Sequence, residues 1–132
     1  MPGWQGVRGQ TLLVPSGAGL HIFFVILGPV VLADHGASPQ LAMVNATTLR
    51  DGVPHDPACV LEAGDHPFLR QRSFAAYRYM RLDASLHVER MVSSAVWKPH
   101  APCSDDLLQR LVAGVCQSRL TPREYKRIFQ CP

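Results

Sequence analysis

The chain is 132 residues long, 47% hydrophobic and 17% charged, with a formal net charge of +3 and a mean hydropathy near zero. That length buries a core without metal or disulfide support, and the composition excludes a disordered tail and requires no membrane. The charge is mild, so a solvated basic surface explains it as readily as an RNA or phosphate partner.

Gln10 to Pro15 reads as a first strand, stopped by Pro15 and the Ser16-Gly17-Ala18-Gly19 turn, with a hairpin following. Leu20 to Leu27 (LHIFFVIL) has the β-branched and aromatic enrichment of a central strand buried on both faces, and Gly28-Pro29 ends it. Residues 30 to 40 read as a loop, Leu41 to Thr48 as a third strand, and Leu49 to Pro57 as turns. Strands at Ala58 to Glu62 and Ser73 to Leu82 bring the set to about five. After Asp83 the period becomes helical. Ala84 to Val96 places Val88, Met91, Val92 and Ala95 on one face, and the proline-broken WKPHAPC stretch reads as a surface tether. Ser104 is a natural N-cap for a helix with Asp105 and Asp106 in its first turn and a stripe of Leu107, Leu108, Leu111, Val112 and Val115. Thr121-Pro122-Arg123-Glu124 reads as a capping box opening a last helix. The pattern is α+β: one domain over residues 1–132, with a small, strongly bent antiparallel sheet or barrel at 10–83 and a helical region at 84–132 packed on one side or end.

Cys59, Cys103, Cys116 and Cys131 show no C-x-x-C spacing and read as reduced thiols of a cytoplasmic protein, Cys59 and Cys116 on apolar faces. The most apolar run, Leu20 to Ala33, contains His21 and Gly28-Pro29 and falls short of the roughly 20 residues of a membrane helix. The opening MPGWQGVRGQ lacks the pattern of a secretory signal.

Chemistry concentrates in residues 55 to 82. Gly64 suits a positive φ in a turn, and Pro67 holds His66 extended beside Asp65. In the strand that follows, Arg78 shares a face with Phe74, Ala76, Met80 and Leu82, so it must be paired, reach an edge or meet an anion. Each residue also has a plain structural role: His66 capping its turn through Asp65, His21 satisfied within its strand, Arg78 paired with Asp65 or Glu62, and Tyr77 and Tyr79 packing. A metal site from His55, Asp56, Cys59, Asp65 and His66 matches no standard spacing, and nothing calls for a cofactor.

Three segments, VILGP at 25–29, VNATT at 44–48 and FAAYRYMRLD at 74–83, resemble in order and spacing the MazF/PemK family of bacterial toxins over roughly residues 10 to 95. The resemblance implies an SH3-like barrel that often dimerises, cleaves single-stranded RNA without a metal and is blocked by an antitoxin peptide. There are departures. The family's arginine before the second strand falls on Ile22, with His21 the nearest candidate; its Asp-Gln pair falls on Tyr77-Arg78, while its first threonine matches Thr47. The chemistry would then rest on His21 or His66 as base and acid, Arg78 on the phosphate and Thr47 as a donor, with Tyr77 and Tyr79 stacking bases and Thr48, Asp65 and Arg72 completing the binding surface. The alternative is an inactive barrel whose groove, with Arg70, Arg72 and Arg81 around it, receives an acidic peptide.

Overall fold

The computed structural model describes residues 4–17 and 19–132; Met1, Pro2 and Gly3 of the opening stretch and Ala18 of the expected hairpin turn lie outside the described residues. Strands β1 (Thr11–Ser16) and β2 (Gly19–Val30) pair antiparallel, with Thr11 opposite Phe24. On the far side of β2 runs β3 (Gln40–Thr48), Phe23 opposite Asn45. β2 does not end at Gly28-Pro29. Gly28 takes φ +111°, and register shifts on either side of Leu27 let the ladder resume at Val30 opposite Gln40. A bulge of this kind bends a strand without ending it.

The other edge of β3 is divided. β6 (Arg81–Ala84) pairs with residues 40–43, while β5 (Ser73–Ala75) pairs with residues 46–48 and carries β4 (Val60–Leu61) on its outer side. The expected single strand from Ser73 to Leu82 is therefore two strands joined by a 3-10 turn at Tyr77–Tyr79. The turn has a clear cause. Ala76 donates its N–H to Asn45 O at 2.8 Å, and Tyr77 leaves the strand line to bury its whole side chain and donate its hydroxyl to Leu111 O at 2.7 Å.

The proline-broken stretch expected as a tether contributes β7 (Lys98–His100), paired with β1 so that His100 lies opposite Thr11. The result is an open seven-stranded antiparallel sheet in the order β4-β5-β3-β2-β1-β7, with β6 beside β3. The fold class is α+β. The expectation of about five strands is corrected by the split strand and by β7, and the sheet is open rather than a closed barrel.

Helix α1 (Ser85–Ser93) lies before β7, and α2 (Asp105–Gln117) and α3 (Arg123–Ile128) follow it. Ser104 caps α2 as its sequence implies, its hydroxyl accepting the Leu107 N–H at 3.1 Å. The capping box at Thr121 does not form: Thr121 Oγ1 is buried without a partner, and Glu124 pairs with His35 at 2.9 Å instead. Helices cover both faces of the sheet, not one. Ile22, Phe24, Ile26 and Val44 pack with Leu107, Leu111 and Val115 of α2, whereas Phe23, Val25, Leu41 and Met43 pack with Val88 of α1 and with Trp97. A strand covered on both faces is apolar throughout, as LHIFFVIL is.

Cys116 is joined to Cys131 by a disulfide across 15 residues of sequence, correcting the expectation that both are reduced. Cys59 and Cys103 are free, Cys59 buried. Among the described residues, no helix is long and apolar enough to cross a membrane.

Candidate functional site

The turn after β4 is built as the sequence implies, with Gly64 at φ +90° and the Asp65 carboxylate accepting the Glu62 N–H at 2.9 Å. Asp65 also holds Arg110 of α2 at 3.1 Å, and Arg110 reaches Asp106 at 3.2 Å. Burial works against the Arg110 charge, but Asp65, helped by Cys59 and Asp106, tips the balance and the guanidinium pKa is raised.

His66, next in line, is 1% exposed. Its Nε2 donates to Ala101 O at 2.6 Å and its Nδ1 accepts the Phe68 N–H at 3.0 Å, so both ring nitrogens are engaged and the neutral tautomer is fixed. Burial pushes its pKa below 6.5, and neighbouring His100 adds to this, while the bond to Ala101 opposes it. Ala101 O also accepts from Thr11 Oγ1 at 2.7 Å. His66 is thus a buried pin joining the β4–β5 connection to the end of β7, which corrects its expected place as a catalytic base; nor does it cap its turn through Asp65.

Tyr77, expected to stack a base, is fully buried and cannot do so; Asp65 is held by Arg110, and Arg72 forms an exposed pair with Glu62 at 2.8 Å. The two carboxylates proposed as partners for Arg78 are taken, and Arg78 is exposed and makes no ion pair among the described residues. Arg81 lies over the rings of Phe23 and Trp97, at 5.5 and 4.9 Å, and pairs with Asp83.

His21, Thr47 and Thr48 do meet, in a cleft of about 770 Å³ at the end of the sheet. His21 and Thr47 sit two residues beyond the last β2–β3 pair, Phe23 with Asn45. Thr47 pairs with Phe74 of β5, and the His55 ring rests on Phe74 at 5.6 Å between centroids. The cleft therefore carries a row from His21 through Thr47 and Phe74 to His55. His100 lies on another wall, its ring 5.1 Å from His66 and 5.9 Å from Phe68. Its Nδ1 accepts the Ala101 N–H at 2.8 Å, leaving Nε2 as the outer nitrogen. Arg50 and Arg70 complete the lining, both exposed and without an ion pair among the described residues. Among the described residues, no aspartate or glutamate lines the cleft.

Arg78 and Tyr79 line a second hollow, of about 300 Å³, which shares Pro54, His55 and Phe74 with the first. Asp56, at its floor, is buried and accepts from the Ser118 hydroxyl and from the Ala58 N–H. Among the described residues, no group of three or more His, Cys, Asp or Glu side chains is arranged to hold a metal ion, so His55, Asp56, Cys59, Asp65 and His66 do not form one.

No protein-family model matches the chain. Nor is any curated protein significantly similar to it.

Sequence reasoning passed over His100 and Arg50 altogether and weighed His55 only as a metal ligand. A signal was present. Pro54-His55-Asp56-Pro57 and Pro99-His100-Ala101-Pro102 share the spacing Pro-His-x-Pro, in which prolines stiffen the chain on both sides of an imidazole.

Proposed function

We propose that the cleft binds single-stranded RNA and cleaves it without a metal, as a toxin-like endoribonuclease of the MazF/PemK type. One observation carries the reading: among the described residues, three histidines and two arginines line the cleft and no carboxylate does. Such a lining attracts a phosphodiester and offers imidazoles for proton transfer beside guanidinium groups for charge.

In this reading His21 and His55, on either side of Thr47, are the two imidazoles. One takes the proton of the ribose 2′-hydroxyl; the 2′-oxygen then attacks phosphorus, and the bond from phosphorus to the 5′-oxygen breaks. The other imidazole, protonated, gives its proton to that leaving oxygen. The products are a 2′,3′-cyclic phosphate and a 5′-hydroxyl. Arg50, Arg70 and the Thr47 hydroxyl balance the charge that grows on the phosphorane oxygens. Phe68 and Phe74 offer ring faces for bases. The cytoplasm, where cellular RNA lies, is the compartment that goes with this reading, and there the Cys116–Cys131 bond would stand open to reducing thiols.

The test is purified protein on mixed single-stranded RNA in excess chelator, alongside growth of an expressing bacterium. Cleavage that leaves cyclic-phosphate ends is expected, with His21→Ala and His55→Ala each slowing it by roughly a hundredfold or more. Intact RNA sinks the nuclease reading. Binding without cleavage would move the cleft to the inactive-barrel alternative, and displacement of that RNA by an acidic peptide would identify the occupant.

A further inference from the structure

We propose that the hollow beside Tyr79 is a second subsite, which stacks the base of a nucleotide neighbouring the one held in the cleft and pairs its phosphate with Arg78. The inference rests on the RNA reading of the cleft. It starts from a contrast within one 3-10 turn, where Tyr77 is 0% exposed and Tyr79 is 68% exposed. Tyr77 is the anchor. Its hydroxyl bond to Leu111 O ties the turn to α2, and the Ala76 N–H bond to Asn45 O ties it to β3. Arg78 and Tyr79 are therefore presented by a backbone fixed at both ends, so little conformational freedom remains to be lost when a ligand binds.

An exposed aromatic ring beside an unpaired guanidinium is the combination that holds one nucleotide of a single strand: base on ring, phosphate on cation. Among the described residues the one carboxylate lining this hollow, that of Asp56, already accepts from Ser118 and Ala58 and is buried. The wall between hollow and cleft is made of residues common to both, Pro54, His55 and Phe74. A strand lying across it would put its scissile phosphate by His21, Thr47 and His55 and its next base on Tyr79. A duplex keeps its bases stacked inside, so the subsite favours an unpaired strand.

Binding of 2′-O-methyl uridylates, whose blocked hydroxyl prevents cleavage, tests this by fluorescence anisotropy with a labelled 3′-mononucleotide, which fills the cleft alone, and with an oligomer of several nucleotides. Wild-type protein is expected to bind the oligomer more tightly. Tyr79→Ala should weaken the oligomer by roughly tenfold or more and leave the mononucleotide unchanged, Tyr79→Phe should restore the difference, and Arg78→Gln should lessen the salt dependence for the oligomer alone. Equal weakening of both ligands, or of neither, overturns the subsite while the cleft reading stands. Failure of the wild-type protein to bind either ligand removes the cleft reading, and the subsite with it.

Discussion

His66 stays neutral because two backbone groups occupy its ring nitrogens and the packed turn excludes water. The sign of the resulting pH dependence follows. In the unfolded chain the imidazole takes a proton near pH 6.5; in the folded protein burial holds that pKa lower. Between the two values the unfolded chain carries more protons, so stability is fully present above pH 6.5 and is lost as pH falls below it. The melting temperature should drop on acidification through that window, and His66→Gln should flatten the slope; an unchanged slope in the variant would exclude His66 as its source. The sequence showed a histidine beside an aspartate and before a proline, which was enough to place a turn. It did not show that Ala101, 35 residues away, would supply the acceptor.

At the scale of elements, α2 and the 3-10 turn fit each other through an absence. Gly114 faces the Tyr77 phenol so closely that a methyl group there would overlap the ring. Alanine is worth about 1 kcal/mol over glycine inside a helix, but crowding a packed contact costs about 1–3 kcal/mol. Gly114→Ala is therefore expected to destabilise the protein in urea titration, and a shorter side chain at Tyr77 should relieve the effect in the double variant. A net gain in stability from Gly114→Ala would show that the turn yields instead. Alternation along FAAYRYMRL indicated a straight strand, since nothing local in those residues announces that one tyrosine will leave the line to meet a helix contributed some thirty residues later. Tertiary packing overrode the period, and with it the assignment of Tyr77 and Arg78 to opposite faces. The second strand, by contrast, was legible, because a run apolar on both faces depends on burial alone.

Across the whole molecule, the α+β pattern was readable from the change of period after Asp83, whereas the two-sided arrangement of helices was not. Sequence gives each helix an apolar stripe but not the sheet face that receives it. The site was partly legible for the same reason. His21, Thr47 and Thr48 lie on long strands that apolar runs mark in the sequence, while His55 lies in a proline-stiffened loop and His100 on the short β7 of a proline-broken stretch, whose directions depend on distant contacts. The disulfide belongs to this scale too, since it fastens α3 to the end of α2. Closing a loop of that length is worth about 3 kcal/mol, so Cys116→Ser, or reduction, should lower the melting temperature by roughly 10 °C. Binding at the cleft should persist below that temperature, because neither cysteine lines it; loss of binding in step with reduction would show that the helical layer governs the cleft.

β7 pairs with β1, so strands far apart in the sequence lie side by side, Thr11 against His100. During synthesis, β1 leaves the ribosome long before its neighbour. A nascent chain that has already made His21, Thr47 and His55 still lacks the wall bearing His100 and the carbonyl that holds His66. The cleft is therefore completed only after most of the chain has emerged, so its full lining is a property of the finished polypeptide and not of the growing one.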